Sequence, residues 1–223
     1  MKIIGINIDG VLRDKLSQFD KMYRKKYIKN ESIVKMDEYF RYVPEEEDEG
    51  ENARIQNMVD EKIKYPIDTF DLLNHYHFDS KDEYYNFINQ DYVFEIYGSA
   101  PPIAKAMDKA NKLQKIGEVN GKYEIVLFSH EKDQAIQATY HFLAKSACRI
   151  KKIIFENDMN RVWDYCDLVI TDNPEFIESK PDNKISIKIK ADYNSYDKAD
   201  YEFNSLTEVE DTFFINLIKE NIL

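Results

Sequence analysis

Short apolar runs that end in a polar residue or a turn punctuate the chain. Ile3-Ile4-Gly5-Ile6-Asn7-Ile8-Asp9-Gly10 is the first, Tyr123-Glu124-Ile125-Val126-Leu127-Phe128-Ser129 the second, Ile153-Ile154-Phe155 the third and Leu168-Val169-Ile170-Thr171 the fourth. Runs of this length, rich in β-branched and aromatic residues, predict buried strands. A fifth, Ile185 to Ile189, alternates with Ser186 and Lys188 and predicts a half-exposed edge strand. Between them the period becomes helical. Ser99-Ala100-Pro101-Pro102 predicts a helix entry, after which Ile103, Ala106, Met107, Ala110 and Leu113 share one face; Ala135, Thr139, Phe142 and Leu143 do the same within Glu131 to Ser146. Alternating strands and helices predict an α/β fold built on a doubly wound parallel sheet, with the strand carboxyl ends along one edge.

A long segment, residues 13–97, separates the first two strands. Leu16, Phe19, Tyr23 and Tyr27 mark one helix in it, Ile55 to Ile63 suggests a second, and Ser80-Lys81-Asp82-Glu83 reads as the capped start of a third. The expected organisation is a core of residues 1–12 and 98–223 with a helical subdomain inserted between them. In the tail, Thr207 and Glu210 have capping-box spacing beside Val209, Phe213, Phe214, Leu217 and Ile218, which predicts an amphipathic helix packed on the core.

At 223 residues and 26.5 kDa the chain is long enough for one sizeable core plus such an insertion. A net charge of -11 argues against a nucleic-acid groove, which needs a basic footprint. Two cysteines, Cys148 and Cys166, give no disulfide framework and read as buried thiols in a reducing compartment. The first strand starts at Lys2, which leaves no room for a signal peptide, and no apolar stretch approaches a membrane span. The expected setting is the cytoplasm or a virion, with no membrane partner; few glycines and prolines and an abundance of Lys, Asn, Ile and Tyr hint at an AT-rich source such as a phage.

The strand ends carry the candidate chemistry. Asn7 and Asp9 end the first, Ser129 with His130 the second, and Thr171-Asp172-Asn173-Pro174 the fourth. This order resembles the motifs of the haloacid dehalogenase (HAD) superfamily, most nearly the 5'(3')-deoxyribonucleotidases, and the resemblance covers nearly the whole chain. It implies a HAD-like Rossmannoid core in which residues 13–97 correspond to the helical C1 cap that closes over substrate. In that family the first motif supplies two aspartates, one attacking phosphorus and one, two residues on, handling the leaving-group proton. By resemblance, Ser129 and His130 would touch phosphate, and Asp9 and Asp172 would hold magnesium.

Three positions depart from the family pattern. Asn7 stands where the attacking aspartate should be, and a neutral carboxamide is a poor nucleophile. No lysine follows the third strand; Met159 falls about where one is expected, while Lys151 and Lys152 precede the strand at its wrong end. Thr171-Asp172 replaces a pair of aspartates. Losses of this kind compound, since removing a nucleophile alone costs on the order of 10⁴ to 10⁶ in turnover. The first expectation is therefore a catalytically degenerate protein with a vestigial pocket at Asn7, Asp9, Ser129 and Asp172 and no cofactor, acting as a structural or interaction subunit of a large assembly such as a phage particle. The second is a Mg²⁺-dependent nucleotidase acting on (deoxy)nucleoside monophosphates.

The partners expected on the first reading are other protein subunits, with basic residues facing the acidic run Glu45 to Glu51. The end of the insertion is strongly aromatic at Tyr76, Tyr84, Tyr85, Phe87, Tyr92, Phe94 and Tyr97; core packing is the first reading and an interface the second. His75 and His77 lack a convincing third metal ligand and read as exposed histidines.

Overall fold

The computed structural model describes residues 1–27, 67 and 69–223; the predicted helix at Ile55 to Ile63 and the acidic run Glu45 to Glu51 lie outside the described residues. Strands β1 (Lys2–Asn7), β2 (Tyr123–Ser129), β3 (Ile153–Phe155), β4 (Leu168–Thr171), β5 (Ile185–Ile189) and β6 (Tyr201–Phe203) form one sheet. Its order is β3-β2-β1-β4-β5-β6, and every pairing is parallel. The fold is thus the α/β parallel sheet that the apolar runs predict. In the middle of the sheet Asn7 pairs with Phe128, and Ile6 with both Leu127 and Ile170, so β1, β2 and β4 end side by side.

Helices cover both faces. The helix Ala106–Asn120 packs on β2 so closely that a Cβ on Gly117 would lie 2.5 Å from the Tyr123 carbonyl oxygen and 2.8 Å from its ring. The Tyr123 hydroxyl donates to the Leu113 carbonyl at 2.9 Å, locking helix to strand. This side joins Ile4, Ile6, Leu113, Ile125, Leu127, Phe142 and Phe214 in the largest apolar cluster, and the opposite face holds Phe128, Val162, Trp163, Cys166, Val169 and Phe176. Burial raises the Cys166 thiol pKa to about 12.

The predicted edge strand is corrected. Every residue of β5 is buried, and β6 pairs outside it. The polar residues that suggest exposure are satisfied internally: Ser186 is bonded to the Asp200 carboxylate, while Lys188 donates to the carbonyls of Asn194 and Asp197 and pairs with Glu202 at 2.8 Å. Two helix starts also move. Pro101 and Pro102 do not enter the helix, because their segment pairs with the turn after β1 through Asp14 N–H to Pro101 O and Ile103 N–H to Leu12 O; the helix begins at Ala106. In the tail Glu208, not Glu210, reaches back to the Asn204 N–H, closing a short 3-10 turn at Leu206–Glu208, and the final helix is only Phe213–Lys219.

Of the insertion, the described part includes the helices Lys15–Tyr27 and Lys81–Asn86, the second capped by Ser80 as predicted. Its aromatics pack inward. Phe19, Tyr23, Tyr76, Phe87 and Tyr97 form their own cluster with Ala135 and Ala138 of the helix Asp133–Lys145, leaving Tyr85 and Phe94 exposed. His77 is exposed, whereas His75 is half-buried against the Tyr76 ring rather than exposed. Among the described residues, no helix is long and apolar enough to cross a membrane.

Gly117→Ala is expected to destabilise the protein by about 1 to 3 kcal/mol, because strain against Tyr123 outweighs the helix-favouring effect of alanine. Urea unfolding checks this; a stabilised variant would show that the helix can shift away from β2 without cost.

Candidate functional site

The ends of β1 and β4, with the segments that follow β2 and β5, surround a cavity of about 420 Å³. Asn7, Asp9, His130 and Asp172 line it, joined by Lys15 and Leu16 from the first helix of the insertion, by Phe70, and by Lys190 and Tyr193 from the loop after β5. Ser129 ends the neighbouring strand and is buried, but it is not part of the lining. A ligand of such sheets sits at this edge because the polar backbone and helix ends open there.

Asp9 is held by a buried ion cluster that the sequence does not announce. Arg13, fully buried, donates Nε–H to Asp9 Oδ1 at 2.8 Å and approaches the same oxygen with Nη2 at 2.6 Å. Its remaining N–H groups go to the Tyr97 carbonyl (2.7 Å), the Thr139 hydroxyl (2.8 Å) and the Glu131 carboxylate. The guanidinium lies between the rings of Tyr97 and Phe142, 5.3 Å from each centroid. Lys15 Nζ takes the other Asp9 oxygen at 2.6 Å. Burial alone would raise the Asp9 pKa, but Arg13 and Lys15 outweigh it and hold the carboxyl far below its usual range. On Glu131, by contrast, burial and the neighbouring Asp9 charge prevail and raise the pKa.

Asn7 is buried at the end of β1. Its amide nitrogen donates to Thr171 Oγ1 at 3.2 Å, and that hydroxyl oxygen also accepts the Asn173 N–H. Its carbonyl oxygen has no partner. His130 Nδ1 lies 2.6 Å from the Glu156 carbonyl; since a carbonyl can only accept, the proton is on Nδ1. Burial lowers the pKa of this ring, which leaves Nε2 as a bare acceptor, again without a partner. Leaving such a group buried and unpaired costs about 1 to 3 kcal/mol.

Asp172 lies across Gly10, where the chain turns with φ +69° and a Cβ would fall 1.7 Å from the carboxylate. Only glycine fits there. The Tyr193 hydroxyl donates to Asp172 Oδ2, and Asn194 fastens the same loop to the Asp172 carbonyl at 2.7 Å. Burial pushes the Asp172 carboxyl up to about 6 despite that hydrogen bond.

The magnesium ion implied by the resemblance does not fit these donors. A hard dication takes several oxygen ligands, preferably anionic. Here Asn7 is neutral, both Asp9 oxygens are committed to cations, and Asp172 is the remaining carboxylate at the strand ends. Among the described residues no group of three or more His, Cys, Asp or Glu side chains could hold a metal, and His75 and His77 belong to none. Met159 opens the helix Met159–Tyr165, packs against the apolar cluster that holds Phe128, Trp163 and Phe176, and is not part of the cavity lining. Among the described residues, Lys15 of the insertion brings an ammonium to the cavity, where it pairs with Asp9.

Arg13, Lys15, Glu131 and Tyr193 escape the sequence reading. Arg13 stands four residues after Asp9, a spacing that could have flagged the pair; Glu131 reads there as the start of a helix that in fact begins at Asp133, because its side chain is drawn in to Arg13. Tyr193 carries no local signal.

No family model matches the sequence, and no curated protein does. Solved structures do resemble it. A haloacid dehalogenase-like hydrolase from Burkholderia xenovorans superposes over 100% of this chain and 99% of its own with a TM-score of 0.51 at 8% identity. A hydrolase of the haloacid dehalogenase-like family from Streptococcus pneumoniae covers 94% and 96%, TM-score 0.51, at 12% identity. A HAD-hydrolase from Bacillus subtilis, solved bound to magnesium, covers 96% and 98%, TM-score 0.50, at 13% identity. The chain has the HAD-like fold.

Arg13→Met is expected to cost about 3 to 5 kcal/mol, since it leaves Asp9 and Glu131 as buried charges facing each other. Chemical denaturation at neutral pH measures this. A loss under about 1 kcal/mol would mean that water or Lys15 replaces the guanidinium.

Proposed function

We propose that this chain has the HAD pocket without its phosphoryl-transfer chemistry and works by binding, as an interaction subunit of a larger assembly. The observation that carries this reading is Asn7, the residue at the position of the attacking aspartate, whose amide is tied to Thr171 and whose oxygen is uncharged. An aspartyl-phosphate intermediate needs a carboxylate there. Two further features support it. A general acid must hold and release a proton near neutral pH, and Asp9, locked between Arg13 and Lys15, stays ionised. The donor set also offers no place for the metal that a nucleotidase needs. On this reading the acidic run Glu45 to Glu51 meets Lys or Arg of a partner, and raised salt weakens the contact.

The purified protein with Mg²⁺ is expected to show no turnover of deoxynucleoside monophosphates or p-nitrophenyl phosphate, and Asn7→Asp at most a trace. Each missing transition-state contact is worth roughly 2.7 to 4 kcal/mol, so restoring one carboxylate leaves the barrier high. Native mass measurement should find the chain in a complex with another protein. Robust Mg²⁺-dependent turnover by the parent that disappears in Asp9→Ala would make it a nucleotidase and overturn the reading.

A further inference from the structure

At the edge of the sheet opposite the cavity, one corner of the surface is basic. Lys115 on the helix Ala106–Asn120, Lys122 just before β2, and Lys145, Arg149 and Lys151 on the stretch that leads into β3 are all exposed. The fold gathers them. β2 and β3 are parallel neighbours, so the segments that enter them lie on the same side of the sheet. The loop before β3 is pinned to the neighbouring helix, because the Arg149 N–H donates to Asn111 Oδ1 at 2.7 Å and the Asn111 amide donates to the Ala147 carbonyl at 3.0 Å. Lys115 stands one turn from Asn111 on the same helix. Ile150, 5% exposed, plants the loop in the largest apolar cluster, so the corner is a fixed platform. Among the described residues none of these cations has an ion-pair partner. Of the nearby carboxylates, Glu124 is taken by Lys152 at 2.6 Å and Asp211 by Lys109 and Lys112, which leaves Asp108 and Glu118 of the helix against the free cations. In a chain of net charge -11 this is a local reversal of sign, and it favours an acidic partner.

We propose that this corner docks the acidic run Glu45 to Glu51 of a second copy, so that the chain associates with itself head to tail. The proposal rests on the reading above that the chain works as a subunit of an assembly, and it names where the countercharge of that run comes from. The run places six carboxylates in seven residues, a match in sign and density for the corner. The segment that carries it is attached to the described structure after Tyr27 and before Ile67, and Ile67 lines the cavity at the carboxyl edge of the sheet. Along β2, seven residues long, the two edges are about 20 Å apart. Run and corner thus belong to opposite edges, the arrangement in which one copy's run meets the next copy's corner. Because the two surfaces differ, every copy offers one of each, and the contact propagates into a ring or an open chain.

Sedimentation velocity on the full-length protein tests this. Self-association is expected at low ionic strength, with an apparent dissociation constant at least about tenfold weaker in roughly 0.5 M salt, where exposed charges are screened within a few ångströms. Arg149→Glu with Lys151→Glu reverses the corner, and Gln at Glu45, Glu46, Glu47 and Glu49 neutralises the run; each variant alone should be a monomer. Mixed, they hold one intact corner and one intact run between them, so a 1:1 dimer that grows no further is expected. Circular dichroism confirms that each is folded, and Lys115→Glu with Lys145→Glu gives a second reversal of the corner. A parent that stays monomeric up to about millimolar concentration, association unmoved by salt or by the substitutions, or a mixture that forms no dimer would overturn the inference. So would a monomer whose corner retains a short oligonucleotide. Mg²⁺-dependent turnover of p-nitrophenyl phosphate by the parent would overturn the proposed function instead, whatever its oligomeric state.

Discussion

The buried guanidinium of Arg13 is the constraint on which the rest of the site depends. It spends its donors on Asp9, Glu131, Thr139 and the Tyr97 carbonyl, and so ties the turn after β1, the segment after β2, the helix Asp133–Lys145 and the end of the insertion to one another. A charge so deeply buried is tolerable because every donor is used and two carboxylates share it. The same bonds decide what Asp9 can do. On the proposed reading, a carboxylate fixed by two cations serves as a structural anion.

That commitment shapes the neighbouring cavity. Asn7, His130 and Asp172 line that cavity beside Asp9, and the Asn7 carbonyl oxygen and His130 Nε2 are buried without partners. Asp172 follows β4 directly, lies across Gly10 and is held by the loop after β5 through Tyr193 and Asn194, a loop anchored in turn by the buried ammonium of Lys188. Fold and site are therefore one network: strand ends bring the groups together, and buried polar contacts aim them.

Much of this was legible in the chain. Continuous apolar runs at β1, β2 and β4 marked a parallel sheet buried on both faces, and a polar residue at the end of each marked the functional edge, because side chains at strand ends face ligand rather than core. What the sequence concealed was long-range. Lys188 reads as solvent-facing until the carbonyls of Asn194 and Asp197 are folded around it. Pro101 and Pro102 read as a helix start until their segment pairs with residues 12–14. Glu131 and Tyr193 gain their roles from partners distant in sequence, so no local period announces them, and Arg13, though four residues from Asp9, owes its burial to Tyr97, Glu131 and Thr139. Asn7 was the exception, since its chemistry is written in its identity alone.

The central claim is that no covalent phosphoryl group can be carried at the end of β1. The most direct measurement is intact-protein mass spectrometry after incubation with Mg²⁺ and acetyl phosphate, a donor that phosphorylates reactive aspartates. The account predicts a chain of unchanged mass. A stoichiometric increment of one phosphoryl group, mapped to the segment from Ile3 to Arg13 and lost on treatment with hydroxylamine, would contradict it.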